Sequence, residues 1–96
     1  MNGEENENLW DQILLARDSG DEDRVISLSK QLSDAGDYRG SDTLGYVFEN
    51  RARRISIESG DINRENYITA AYWYSRALSQ GGGYASHYGL ATYYFY

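Results

Sequence analysis

The chain has 96 residues, with 15 acidic and nine basic side chains, and a net charge of −6. This length fits a single domain. It contains no cysteine and no proline, which excludes disulfides and thiolate zinc sites and leaves long helices uninterrupted. No apolar run approaches the roughly 20 residues of a membrane span, and residues 1–5 are acidic where a signal peptide is basic. We therefore expect a soluble, cytoplasmic protein.

The first predicted helix spans residues 9–19 and follows an acidic N-terminus, residues 1–8, that we expect to be disordered. Asn6 or Asn8 is its predicted N-cap, and Gly20 follows its last turn. Its inward positions recur at helical spacing; they are Leu9, Ile13 and Leu14.

The second predicted helix begins after Asp21, whose side chain is a suitable N-cap, and ends at Gly36. Glu22 and Asp23 place negative charge in its first turn, where the helix dipole favours it. Its buried stripe consists of Val25, Leu28, Leu32 and Ala35.

A third helix is predicted to begin at Asp37 or Tyr38 and to run long before a turn near residues 59–63. Gly45 lies inside it at a cost of about 1 kcal/mol relative to alanine, which predicts a close helix crossing. The predicted inward face consists of Leu44, Val47, Phe48, Ala52 and Ile55. The basic group Arg51, Arg53 and Arg54 either holds a phosphate or an acidic partner, or places cations favourably near the C-terminus of the helix with pairing to Glu49 or Glu58; we favour the second interpretation.

Asn63 is the predicted N-cap of a fourth helix that ends at the glycine run 81–83. No strand and no GxxxxGK[ST] pattern accompany these glycines, so they predict a tight turn between helices rather than a phosphate loop. The inward face of this helix consists of Tyr67, Ala70, Ala71, Tyr74, Ala77 and Leu78. A fifth helix is predicted from about Tyr84.

The fourth helix resembles the first helix of Sel1-like repeats, which are related to tetratricopeptide repeats. The resemblance rests on Ala70-Ala71, Trp73-Tyr74, Arg76-Ala77 and Gly81. It continues in the next helix of each repeat, in Leu44-Gly45 with Phe48 and in Leu90-Ala91 with Tyr93-Tyr94. The chain also matches itself at an offset of 46, where Ser29 aligns with Ser75 and Leu32 with Leu78.

The resemblance implies an all-α fold of about five helices. An N-terminal helix would precede two helix-turn-helix repeats, in one domain spanning residues 9–96. It also implies an α-solenoid that binds other proteins, although a scaffold alone names no partner.

Charge and aromatic residues are unevenly distributed along the chain. Residues 1–42 carry a net charge of −7 and residues 43–96 a net charge of +1. Eight of the ten tyrosines lie in residues 67–96. An acidic half attracts basic proteins and repels nucleic acid. The candidate partner-binding residues are Trp10, Tyr38, Tyr72, Trp73, Tyr94, Tyr96, Asp21, Glu22 and Asp23. For Trp10, burial at the end of the core is the favoured alternative.

Catalytic residues are not evident in the sequence. His87 is the single histidine, there is no cysteine nucleophile, and no acid lies in a predicted apolar setting. We expect no enzyme activity, no cofactor, no metal and no membrane or nucleic-acid partner. The favoured function is protein-protein interaction, for example an acidic inhibitor that blocks a basic enzyme as an immunity protein blocks a toxin. The alternatives are a homodimer formed through the aromatic C-terminal end and a fragment of a longer solenoid.

Overall fold

A computed structural model describes residues 3–82, which form four α-helices. They are α1 (Gly3–Asp18), α2 (Glu22–Asp34), α3 (Tyr38–Ser59) and α4 (Arg64–Ser79). Each helix packs on the next one, α1 on α2, α2 on α3 and α3 on α4. The all-α class is confirmed. The described residues hold four helices where about five were predicted for the chain, and the fifth, from about Tyr84, lies outside them.

Helix α1 begins at Gly3, six residues before the predicted start at Leu9. Residues 3–8, expected to be disordered, are helical for two physical reasons. Glu4 and Glu5 lie in the first turn, where the helix dipole stabilises negative charge. Glu7 also accepts a hydrogen bond of 2.7 Å from Arg39 Nη2, a contact 32 residues away. The predicted caps Asn6 and Asn8 consequently lie inside the helix.

The other predicted N-caps are confirmed by their hydrogen bonds. Asp21 Oδ1 accepts from the backbone N–H of Arg24 at 3.1 Å, and Asn63 Oδ1 accepts from that of Asn66 at 3.2 Å. Of the two residues predicted to open α3, Asp37 is the cap, through its bond to the Arg39 N–H at 3.0 Å. Each cap satisfies a backbone donor that the first turn of its helix leaves without a partner.

A cluster of buried apolar residues joins α1 and α2. Its buried members are Ile13, Ala16, Val25, Leu28 and Leu32. Leu9 and Trp10 of α1 and Val47 of α3 pack against it. Three helices therefore share this cluster, with α2 in the middle.

Helix α4 packs closely on α3 at Gly45. A Cβ atom at this position would lie only 2.7 Å from the ring of Tyr74, so the predicted close crossing is confirmed. The Tyr74 hydroxyl donates to Glu49 Oε1 at 2.9 Å, and both residues are buried. Burial and the negative charge of Glu49 raise the pKa of Tyr74, so the phenol stays protonated and remains a donor.

A polar contact ties the end of α4 to both α2 and α3. Ser41 donates to Gln80 Oε1 at 2.6 Å, and Gln80 Nε2 donates to the backbone carbonyl of Ser33 at 3.0 Å. The Ser33 and Ser41 hydroxyl oxygens lie 2.7 Å apart. This network fixes the position of α4 relative to the α2–α3 pair, and none of its members was singled out from the sequence.

The burial patterns of α2 and α4 agree better at an offset of 45 than at the offset of 46 that the sequence match indicated. Helices α2 and α4 end at Asp34 and Ser79. At an offset of 45, buried positions coincide in the pairs Val25 and Ala70, Ser29 and Tyr74, and Leu32 and Ala77. At 46, buried Ser29 aligns with exposed Ser75. The identities at 46 are therefore not accompanied by matching burial. An offset of 42, which aligns the starts of the two helices, pairs three buried positions as the offset of 45 does.

Candidate functional site

A cleft of about 190 Å³ opens where the end of α1, the start of α2 and the middle of α3 meet. We call it the α1–α3 cleft. Its residues on α3 are Thr43, Tyr46, Val47 and Asn50. Its residues on the other side are Arg17, Gly20, Asp21, Glu22 and Val25. None of these lining residues belongs to α4.

The α3 wall of the cleft follows from helical spacing. Thr43, Tyr46 and Asn50 continue a row that begins at Arg39, with steps of four, three and four residues, and such residues share one helix face. Arg39 contacts α1 through Trp10 and Glu7, which turns the whole row towards α1. At a rise of 1.5 Å per residue, the row is about 16 Å long.

The floor of the cleft is apolar and its edge carries an exposed ring. Val25 is a buried member of the core cluster, and Val47 packs against that cluster. Tyr46 leaves 58% of its surface accessible to solvent. Because large exposed aromatics beside an apolar depression are typical of contact surfaces, this combination singles out the cleft.

The acids at the cleft already have partners within the chain. Asp21 caps α2. Glu22 Oε1 accepts from Arg51 Nε at 2.6 Å, and the Arg51 guanidinium lies 5.3 Å from the centre of the Phe48 ring. Of the three acids predicted to contact a partner, Asp21 and Glu22 line the cleft. Asp23 is exposed and does not line it.

Trp10 lies at the other end of the α3 row, where it is half-buried against the core cluster. The Arg39 guanidinium is 5.4 Å from its ring centre. Arg39 Nη2 also donates to Asp37 Oδ2 at 2.8 Å and to Glu7 at 2.7 Å. These bonds lower the pKa of the Asp37 carboxyl and raise the pKa of Arg39. Trp10 therefore supports the junction of α1 with the α2–α3 turn.

The remaining predicted contact residues lie away from the cleft. Tyr38 is 39% exposed at the start of α3. Tyr72 is exposed on α4, and its ring meets that of half-buried Trp73 edge to face with centres 5.0 Å apart. Tyr94 and Tyr96 lie outside the described residues. The structure thus brings Tyr72 and Trp73 together on α4, and Trp10, Tyr38, Tyr72 and Trp73 do not line the cleft.

Tyr46, Thr43 and Asn50 were not predicted as site residues. The sequence could have indicated them by their spacing. Steps of four, three and four residues from Arg39 place them in one row, on the side of α3 away from its apolar stripe. Such a row indicates one face, but which helix lies beside that face depends on tertiary packing.

Among residues 3–82, no group of three or more histidine, cysteine, aspartate or glutamate side chains is placed to hold a metal ion. Within the same part of the chain, no helix combines the length and the apolar character needed to cross a membrane.

Comparison of the chain with protein-family models, with curated proteins and with solved structures found no match. The resemblance to Sel1-like repeats therefore stays a prediction.

Proposed function

We propose that this chain is a non-catalytic protein-interaction module whose α1–α3 cleft receives a segment of a partner protein with a basic surface. One observation carries the proposal. An apolar floor and an exposed Tyr46 occur together at a cleft that is formed in part by the acidic half of the chain.

The aromatic edge supplies contact area. Tyr46 is more than half exposed, and a tyrosine ring offers an apolar face and a hydroxyl at a low cost in conformational entropy. Val25 and Val47 complete an apolar base beneath it. Burying these groups under a partner would remove apolar surface from water, which is the general driving force of association.

The charge distribution supports a basic partner. The charged cleft residues on the side of α1 and α2 are Arg17, Asp21 and Glu22, and they belong to residues 1–42, whose net charge is −7. A potential of this sign raises the association rate of a basic protein at low salt and disfavours nucleic acid. A basic enzyme inhibited by this chain is one partner of the proposed class.

We also propose that the chain is a Sel1-like α-solenoid. Two features support this. The four described helices pack in succession along the chain, and the buried residues of α2 and α4 follow the same helical spacing.

A self-assembling unit, or a piece of a longer solenoid, is the second candidate. Ile68 and Tyr72 favour it, because they lie four residues apart on α4 and each is 56% exposed. Such a face could contact a second copy or a further repeat. This candidate uses a surface other than the α1–α3 cleft, so variants can separate the two.

Selection of short random peptides displayed on phage tests the proposed function. The full chain is immobilised, and a parallel selection uses its Tyr46→Ser variant. We expect peptides enriched in lysine and arginine on the unaltered chain and a loss of those clones on the variant. Failure to enrich any sequence, or equal enrichment on both proteins, would contradict the proposal.

A further inference from the structure

We infer that the α1–α3 cleft takes one large apolar side chain of its partner as an anchor. The acids around it act on the association rate and do not hold the partner's cations. This inference rests on the proposed function in one respect, that the occupant is a protein segment. It adds the chemistry of the residue that enters the cleft.

The volume of the cleft matches one side chain. It measures about 190 Å³, and a protein cavity of about 150 Å³ is enough to bind benzene. A leucine or phenylalanine side chain is of the corresponding size. The cleft is too small to hold a whole helix, so the rest of the partner would lie across its edge.

The inner surface of the cleft favours an apolar group. Its base is Val25 and Val47, and the Tyr46 ring stands at its edge. The polar residues of the α3 wall, Thr43 and Asn50, have partners within the chain: the Thr43 hydroxyl donates to the backbone carbonyl of Arg39 at 2.7 Å, and Asn50 Oδ1 accepts from Arg53 Nη1 at 3.5 Å. A polar group entering the cleft would give up hydrogen bonds to water without replacing all of them, which is unfavourable.

The acids at the entrance are poorly suited to hold a cation from the partner. Glu22 is bound to Arg51, and Asp21 accepts from the Arg24 N–H. A lysine of the partner would have to compete with these contacts. The same carboxylates keep their negative charge, and their field still acts on an approaching basic protein over about 10 Å at 0.1 M salt.

The charge of this half of the chain identifies the surroundings of the anchor. Arg17 lines the cleft beside Asp21 and Glu22, so the charge of the lining itself is small. Residues 1–42 as a whole carry a net charge of −7, so a segment whose anchor is flanked by lysine or arginine approaches faster than an acidic one. An apolar residue flanked by basic residues is therefore the partner chemistry that fits this cleft.

Titrations with single blocked amino acids test the anchor directly. Amide shifts of the full chain, labelled with ¹⁵N, are followed while N-acetyl-leucinamide, N-acetyl-phenylalaninamide or N-acetyl-lysinamide is added. We expect the first two to shift Val25, Thr43 and Val47 saturably and to bind at least about 10-fold more tightly than the lysine compound. An equal effect of the lysine compound, or shifts spread over all four helices, would overturn the inference.

A cleft-filling variant gives a second readout. Asn50 lies on the cleft wall and is half-buried, and Asn50→Phe places an apolar ring in the same volume. We expect it to abolish the shifts at Val25 and Val47, whereas the control Ser75→Phe, at an exposed site on α4, preserves them. Undiminished binding to a folded Asn50→Phe chain would contradict the inference, and if that variant does not fold, the three-compound comparison decides.

The two proposals fail in different ways. If the leucine compound occupies the cleft but display selects no peptide, the proposed function fails and the apolar site stands. If binding of the selected peptides requires Tyr46 but persists when every large apolar residue of the peptide is replaced by alanine, the proposed function stands and the inferred apolar anchor is wrong.

Discussion

Arg51 in the middle of α3 binds Glu22 in the first turn of α2, with Nε 2.6 Å from Oε1. This contact spans 29 residues and holds the start of α2, which lines the α1–α3 cleft through Glu22, against α3. Both side chains are partly exposed, at 30% for Arg51 and 41% for Glu22. The pair therefore positions the cleft without adding much stability, since solvent screens it.

A double-mutant cycle measures this pair. Glu22→Gln and Arg51→Gln should each lower the free energy of unfolding by less than about 1 kcal/mol, with a coupling of about 0.5 kcal/mol that shrinks in high salt. Urea denaturation of the four proteins provides the values. A coupling above about 2 kcal/mol would mean that the pair is much less screened than its exposure indicates.

Gly45→Ala should destabilise the chain because its Cβ would lie 2.7 Å from the buried Tyr74 ring. We expect a loss of about 1–3 kcal/mol from overpacking, reduced by the higher helix propensity of alanine, which is about 1 kcal/mol. Thermal unfolding followed by circular dichroism measures the loss. Gly3→Ala is the matched control, since no atom lies within 4 Å of its added Cβ. Equal effects of the two substitutions would contradict the close contact of α3 with α4.

Tyr74→Phe should remove a pH dependence at high pH. The pKa of Tyr74 is raised above its usual value of 10.0 in the folded chain, chiefly by burial and then by Glu49. Its contribution to stability is therefore complete below about pH 10 and is lost as the pH rises above that value, because the unfolded chain releases the proton first. We expect the free energy of unfolding to fall more steeply between pH 9 and 11 for the unaltered chain than for the Tyr74→Phe variant.

The same substitution has a measurable effect at neutral pH. It leaves the buried Glu49 without its hydrogen bond from the phenol, which should cost about 1–3 kcal/mol. Tyr72→Phe is the control, since Tyr72 is exposed on the same helix. Identical pH profiles for Tyr74→Phe and the unaltered chain would show that the two buried groups do not interact as described.

Asp37→Asn should separate the capping role of Asp37 from its ion pair with Arg39. Asparagine is also a good N-cap, so the substitution keeps the cap and removes the charge together with one of the two oxygens that accept from Arg39. Because Arg39 lowers the pKa of Asp37, the ionised form stabilises the fold above about pH 4, and this contribution is lost as the pH falls through the lowered value. The variant should lose about 1 kcal/mol at neutral pH and show a flatter decline in acid.

Fluorescence of Trp10 gives a local check on the same variant, because Arg39 lies 5.4 Å from its ring. Trp73 contributes a second signal, so the measurement is made in a Trp73→Phe background. If the change of Trp10 fluorescence in acid is the same with and without Asp37→Asn, the result would contradict the assigned ion pair.

Local chemistry explains what could be predicted from the sequence. Asp21 and Asn63 cap helices by bonding to backbone groups three residues away, so neighbouring sequence is sufficient to identify them. The apolar stripes of α2 and α4 follow helical periodicity, and Gly45 marked a close crossing because glycine in a helix is unfavourable without one.

The remaining features depend on contacts between distant residues. Gln80 bonds with Ser41 and Ser33, which are 39 and 47 residues away, and no local pattern marks such a network. The early start of α1 depends in part on Glu7 meeting Arg39. Tyr46 became a candidate only when α1 was placed beside α3, because an exposed tyrosine on a single helix has no evident role by itself.

The central claim is that the α1–α3 cleft binds a protein segment, and Tyr46 and Tyr72 form a matched pair to test it. The two rings are almost equally exposed, at 58% and 56%, but only Tyr46 lines the cleft. The measurement is the affinity of the strongest display-selected peptide for the unaltered chain and for the Tyr46→Ser and Tyr72→Ser variants, by isothermal titration calorimetry. We predict binding about 5- to 30-fold weaker for Tyr46→Ser and within about twofold of the unaltered chain for Tyr72→Ser. A loss of affinity confined to Tyr72→Ser would contradict the claim and place the binding surface on α4.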